Sequence, residues 1–104
     1  MNESELILMA EEVVSLLKEK NLSLATAESC TGGWVGKIIT EVSGASAAYL
    51  GGGCSYANEV KMKLLGVSAE TLRTVGAVSR ETAVQMAEGV RKLIGSDIGI
   101  GITG

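Results

Sequence analysis

A serine hydroxyl does chemistry only where a base can take its proton and donors can hold the charge that develops. Ser29 has such a setting. It lies in the run from Leu22 to Gly33 (LSLATAESCTGG), an apolar strand that breaks into small residues and opens a helix near Trp34. A hydroxyl at a strand-to-helix turn is close to free backbone N–H groups and to the positive end of a helix dipole. The turn suits a nucleophile, a bound phosphate or a plain helix cap, and Thr31 is as good a cap as Ser29.

The base is constrained by an absence. The chain contains no histidine, so Ser-His-Asp and Cys-His arrangements cannot be assembled within it. Lysine remains, and it acts as a base near neutral pH only if burial or a positive field lowers its pKa. Lys61 is the best placed: with Asn58 as N-cap it falls in the first turn of a helix, where the dipole disfavours a cation. The ordinary reading of such a lysine is a solvated side chain. Lys63, two residues on, points elsewhere and is the natural control.

Other residues near this pair carry open readings. Glu28 is either a charge behind the site or a solvated one. Cys30 is intrinsically more nucleophilic than serine but has no imidazole partner, and is expected to be a small buried residue. Tyr56 stands at a strand end, where its hydroxyl either orients a ligand or the lysine, or packs in the core. Ser46, just past a helix stop at Ser43-Gly44, is placed to line the same sheet edge.

The elements that must position these groups are legible from periodicity. Leu6, Met9, Ala10, Val13 and Leu17 recur at helical spacing between Glu5 and Lys20, with Asn2 and Glu5 as a capping pair. Leu22 to Ala27 reads as a short buried strand, and Gly32 to Val42 as a helix. Ala47 to Tyr56 reads as a strand whose glycines permit close backbone approach. A short helix runs from Asn58 to Leu65, ended by Gly66, and another from Ser68 to Thr74. Ser79 caps a longer helix with Ala83, Met86, Ala87, Val90, Leu93 and Ile94 on its apolar face. Asp97 to Thr103 reads as a buried apolar strand. This order predicts an α/β sheet with helices on its faces.

Composition bounds the function. At 104 residues the chain is expected to be a single domain, 1–104, burying about 65% of its unfolded surface. Hydrophobic residues make up 46%, with 14 glycines and neither proline nor phenylalanine, so the core must be aliphatic side chains packed around glycine. The net charge of −3 and only three aromatic residues argue against nucleic acid and anionic membranes as partners. No apolar run is long enough for a membrane span, and Cys30 and Cys54 have no metal-site spacing. A cytoplasmic location with reduced thiols is expected, and neither a metal nor another cofactor.

Three pattern matches fail on context. Gly99, Gly101 and Gly104 spell a dinucleotide fingerprint but lie within and just after a strand, with no helix following. Ser15 and Lys18 match an SxxK motif but sit along the first amphipathic helix without its companion motifs. Gly51 to Gly53 lack the lysine and framing glycine of a triphosphate loop.

Taken together, several short motifs are specific: AESCTGG (27–33), GAS (44–46), YxNxxK (56–61), LGV (65–67), GAVS (76–79), MAEG (86–89) and ITG (102–104). In order and spacing the chain resembles the CinA C-terminal domain family, which includes nicotinamide mononucleotide deamidases. The resemblance implies a three-layer α/β/α sandwich. It also implies metal-independent hydrolysis of the carboxamide of nicotinamide mononucleotide to nicotinate mononucleotide and ammonia. On the matching positions, Ser29 would be the nucleophile and Lys61 the base, with Ser46, Tyr56 and Thr103 contacting the ligand. Backbone N–H groups of Cys30, Thr31, Gly32 and Gly33 would form either an oxyanion hole or a phosphate cradle.

The family domain continues past the ITG motif with further strands, a final helix and an arginine for the ligand phosphate. By the resemblance this chain corresponds to the first two-thirds of that domain. A strand edge left open in this way favours association with another copy, most simply as a homodimer. The alternative to a catalytic domain is an inactive module that binds nucleotide or mediates oligomerisation.

Overall fold

Three parallel strands form the sheet, in the order β2-β1-β3, with the first strand at the centre. The computed structural model describes all residues, 1–104. In chain order the elements are α1 (Glu3–Lys20), β1 (Leu24–Glu28), α2 (Trp34–Thr40), a 3-10 turn (Ala45–Ala47), β2 (Tyr49–Cys54), α3 (Asn58–Leu65), α4 (Ala69–Thr74), α5 (Arg80–Ile94) and β3 (Ile98–Ile102). The path from β1 to β2 runs one way across the sheet, and the path from β2 to β3 runs back over β1. Crossovers of one hand running in opposite directions put their helices on opposite faces. The result is the three-layer α/β/α arrangement implied by the sequence.

Period-two alternation along β1 assigns its side chains to the two layers. Leu24 joins Ala10, Val14 and Leu17 of α1 and Ile38 and Ile39 of α2 in one core cluster. Ala25 and Ala27 join Leu65 of α3 and Met86 and Val90 of α5 in the other. All five residues of β1 are buried, as expected for a central parallel strand covered on both sides.

Glycine sets the closeness of the second layer. A methyl at Gly99 or Gly101 would land on the Ala87 or Ala83 carbonyl oxygen of α5, and one at Gly89 on the Leu65 carbonyl oxygen of α3. The fingerprint-like glycines of β3 therefore serve helix-on-strand packing. The glycines of β2 act likewise: a methyl at Gly52 would sit 2.5 Å from the Thr26 carbonyl oxygen.

Side-chain caps hold the helix starts. Asn2 Oδ1 accepts the Glu5 N–H at 2.8 Å, Ser68 Oγ that of Thr71 at 3.0 Å, and Ser79 Oγ that of Thr82 at 3.2 Å. Asn58 is not a cap: Ala57 holds that position without a side-chain bond, and Asn58 is the first helical residue. Several apolar positions also turn outward. Met9 and Val13 are exposed while Ala10, Val14 and Leu17 carry the α1 contact, and Leu93 of α5 is exposed. β3 is an edge strand, not a buried one; Ile98 and Ile100 face outward on the side α5 does not cover. No helix is long and apolar enough to cross a membrane.

Candidate active site

The loops leaving β1 and β2 diverge, one toward α2 and the other toward α3 on the opposite face. In parallel α/β sheets the crevice between such loops, outside the carboxyl ends of the strands, is where ligands bind. Ser29 follows β1 at this point. Its N–H donates to the Ile102 carbonyl of β3 at 3.0 Å, and the Ser55 N–H donates to the Glu28 carbonyl at 2.7 Å, so both neighbouring strands pin the turn.

Alternation carries Ser29 onto the α3 side of the sheet, two residues beyond Ala27. Helical side chains lean toward their own N-terminus. Lys61 therefore reaches back past the start of α3 to the strand ends. Its Nζ lies 2.9 Å from Ser29 Oγ, 2.8 Å from the Ser55 carbonyl oxygen and 2.8 Å from the Tyr56 carbonyl oxygen. Lys61 is 1% exposed and Ser29 7%. No carboxylate pairs with the amine, and burial pushes its pKa below the ordinary lysine value of 10.5, opposed by the nearby Cys30 and Cys54 thiols.

Counting hydrogens shows what this arrangement can do. The two carbonyls can only accept, so the amine must give each of them one N–H. A neutral amine then has its lone pair left for the Ser29 hydroxyl, which donates to it. An ammonium has a third N–H, which Ser29 Oγ accepts. Both protonation states are satisfied in one geometry, so a proton can pass between serine and lysine without side-chain rearrangement.

Glu28 explains why Ser29 is not a cap. Its buried carboxylate accepts the Val35 and Gly36 N–H groups at 2.8 and 2.9 Å and the Thr31 hydroxyl at 2.6 Å. The N-terminus of α2 is thereby filled from within, and its N-cap residue, Gly33, makes no side-chain bond. A phosphate there would meet this carboxylate. The N–H groups of Cys30, Thr31 and Gly33 are outside that network and donate to no protein acceptor, whereas Gly32 N–H is taken by the Ser29 carbonyl.

The other sequence-derived positions divide. Thr103, at the carboxyl end of β3, donates its hydroxyl to the Ala77 carbonyl at 2.8 Å. Tyr56 contributes its carbonyl, not its hydroxyl: the ring is 79% exposed, neither packed in the core nor bonded to the lysine. Cys30 is exposed, because the turn directs it away from both core layers. Ser46 lies in the 3-10 turn before β2, at the opposite end of the sheet, roughly 17 Å of strand away from the carboxyl edge. It lines a separate groove with Thr40, Tyr49 and Leu50. Lys63 is exposed. A cleft of about 400 Å³ lies between α2 and the glycine strip of β2, on the face away from the dyad, and reaches its edge at Gly33 and Cys54.

The model of the CinA C-terminal domain matches residues 7–104. The chain belongs to the CinA C-terminal domain family. It is 51% identical over 96 residues to a CinA-like protein of Kosmotoga olearia, covering 92% of this chain and 23% of that protein. A CinA-like protein of Thermotoga maritima is 47% identical over 96 residues, with 92% and 24% covered. Among solved structures, competence/damage inducible protein CihA from Agrobacterium tumefaciens matches with a TM-score of 0.84 and 39% identity, over 94% of this chain and 57% of that one. A CinA superfamily protein from Escherichia coli matches with a TM-score of 0.88 and 28% identity, over 93% and 57%. This CinA-family chain thus spans about a quarter of the length of these curated relatives and just over half of the solved ones.

Proposed function

We propose that this chain carries the catalytic dyad of a metal-independent amidohydrolase acting on the carboxamide of nicotinamide mononucleotide. The observation that carries the reading is the buried Lys61 amine, unpaired with any acid, 2.9 Å from the Ser29 hydroxyl. Neutral Lys61 takes the Ser29 proton as Oγ bonds to the amide carbon. The free N–H groups of Cys30 and Thr31, directly after the nucleophile, are the donors for the oxyanion. Lys61 then returns the proton to nitrogen, the C–N bond breaks and ammonia leaves. A water molecule, deprotonated by the same amine, hydrolyses the acyl-serine to nicotinate mononucleotide, and Ser29 recovers its proton.

Ammonia release from nicotinamide mononucleotide tests the reading. Activity is expected to vanish in Ser29→Ala and Lys61→Ala and to persist in Lys63→Ala and Cys30→Ser. Loss in Cys30→Ser alone would move the nucleophile to the thiol. A second reading, a module that binds nucleotide or a second copy without turnover, is favoured by the unpaired outer edges of β2 and β3 and by exposed Ile98 and Ile100. Calorimetric binding of the mononucleotide without ammonia release would support that module.

A further inference from the structure

One buried polar group has no partner. Ser55 Oγ is the sole fully buried side-chain oxygen or nitrogen without a hydrogen bond, and Ser55 itself is 0% exposed. An unsatisfied buried hydroxyl is destabilising, and alanine would fit the same space without that cost. Such a group calls for a physical reason.

Its position supplies one. The Gly53 Cα–H that a methyl would replace faces Leu64 of α3, and Cys54 lines the opposite groove, so alternation places Ser55 back on the α3 side, with Ser29 and Lys61. The Ser55 carbonyl already holds one Lys61 N–H. The hydroxyl is four covalent bonds from that carbonyl oxygen and turns about a single bond.

We infer that Ser55 is a positioning residue, whose hydroxyl receives the third Lys61 N–H after Ser29 Oγ has bonded to the electrophile and before the leaving group takes the proton. This deepens the amidohydrolase reading and rests on the same dyad. In the resting state three acceptors suffice for the ammonium: two carbonyls and Ser29 Oγ. When Oγ forms its bond to the electrophile and gives its proton to Nζ, it becomes an oxygen of the adduct, bonded to carbon on both sides and a poorer acceptor. The newly gained N–H then needs another oxygen until it passes to the leaving group. Ser55 Oγ is the unengaged one. It acts through Lys61 and does not itself touch the substrate.

The test uses the phosphonylation of Ser29 by a fluorophosphonate, which needs an activated serine but not the natural substrate. In that step Ser29 Oγ bonds to phosphorus, fluoride leaves with the P–F electron pair, and Lys61 keeps the serine proton. Ser55→Ala is expected to slow labelling about tenfold or more, the loss of a charge-assisted hydrogen bond, while its melting temperature stays equal or rises. Ser55→Thr keeps the hydroxyl and should label near the wild-type rate, while Ser55→Val, of the same shape, should be as slow as Ser55→Ala. Wild-type labelling in Ser55→Ala, or equal slowing in the threonine and valine variants, would overturn the inference and leave the dyad standing. An unlabelled Ser29 in the wild type would overturn the dyad and this inference together.

Discussion

Replacing Glu28 with glutamine exchanges one carboxylate oxygen for an NH₂ group of nearly the same shape yet is expected to cost about 3 kcal/mol, because the carboxylate faces donors on every side. Oε1 accepts from Thr31 Oγ1 and the Val35 N–H, and Oε2 from the Gly36 N–H. Glutamine can keep one of these acceptor faces; its amide N–H₂ then points at a backbone N–H in a site 2% exposed. Losing one charge-assisted bond is worth about 1.5–3 kcal/mol, and the lost charge at a helix N-terminus about 0.3–1 more. For a domain of this size that lowers Tm by roughly 12–24 °C. Urea unfolding followed by circular dichroism, with linear extrapolation, measures it. Thr31→Val closes a double-mutant cycle, and a coupling of about 1 kcal/mol with Glu28→Gln is expected. The exposed Glu41→Gln, which touches only Lys37, should stay within about 0.5 kcal/mol of wild type. A Glu28→Gln cost below about 1 kcal/mol, or strict additivity with Thr31→Val, would refute the account of the α2 start.

Lys61 gives a pH signature. Only its neutral form accepts the serine proton, so the rate of Ser29 labelling should rise with pH to a plateau, with a midpoint below 10.5; Lys61→Arg should not react at any pH tested. The same lowered pKa makes the unfolded chain bind the extra proton between the folded midpoint and 10.5, so stability should rise with pH across that window and the slope disappear in Lys61→Met. Gly89→Ala, whose methyl meets the Leu65 carbonyl, should destabilise by about 3 kcal/mol or more despite alanine's better helix propensity, measured by urea unfolding.

What was legible in the sequence was local. Caps at Asn2 and Ser79 are read correctly because each binds a backbone group three residues on, whereas Ser68, read as the first residue of its helix, is the cap of a helix that starts at Ala69. Asn58 misleads because the same residue type tolerates the first helical turn. The face of α1 is ambiguous: Leu6 to Ala10, Val13, Val14, Leu16 and Leu17 are apolar almost all round, and two stripes fit equally well. Only the packing against α2 selects Ala10, Val14 and Leu17. The absence of histidine pointed to a lysine near Ser29, and the motif spacing to Lys61. Glu28 was left undecided, although an acid ending an apolar strand before a helix is itself a signal. Ser55 gave none, since a serine beside a strand end looks like any turn residue. Ser46 was drawn to the wrong end of the sheet because sequence proximity to β2 does not say which end of the strand a loop serves.

The central position of β1 carries a consequence for assembly of the molecule. The turn bearing Ser29 is anchored by Ile102, and the start of the same strand is latched through Ser23 to Asp97, 74 positions along the chain. Such long-range parallel pairing forms late, after a large loop has closed. During synthesis the Ser29 turn remains unshaped until β3 has been made. Truncation ahead of β3 is therefore expected to abolish the reactivity proposed for Ser29 while leaving both Ser29 and Lys61 in the chain.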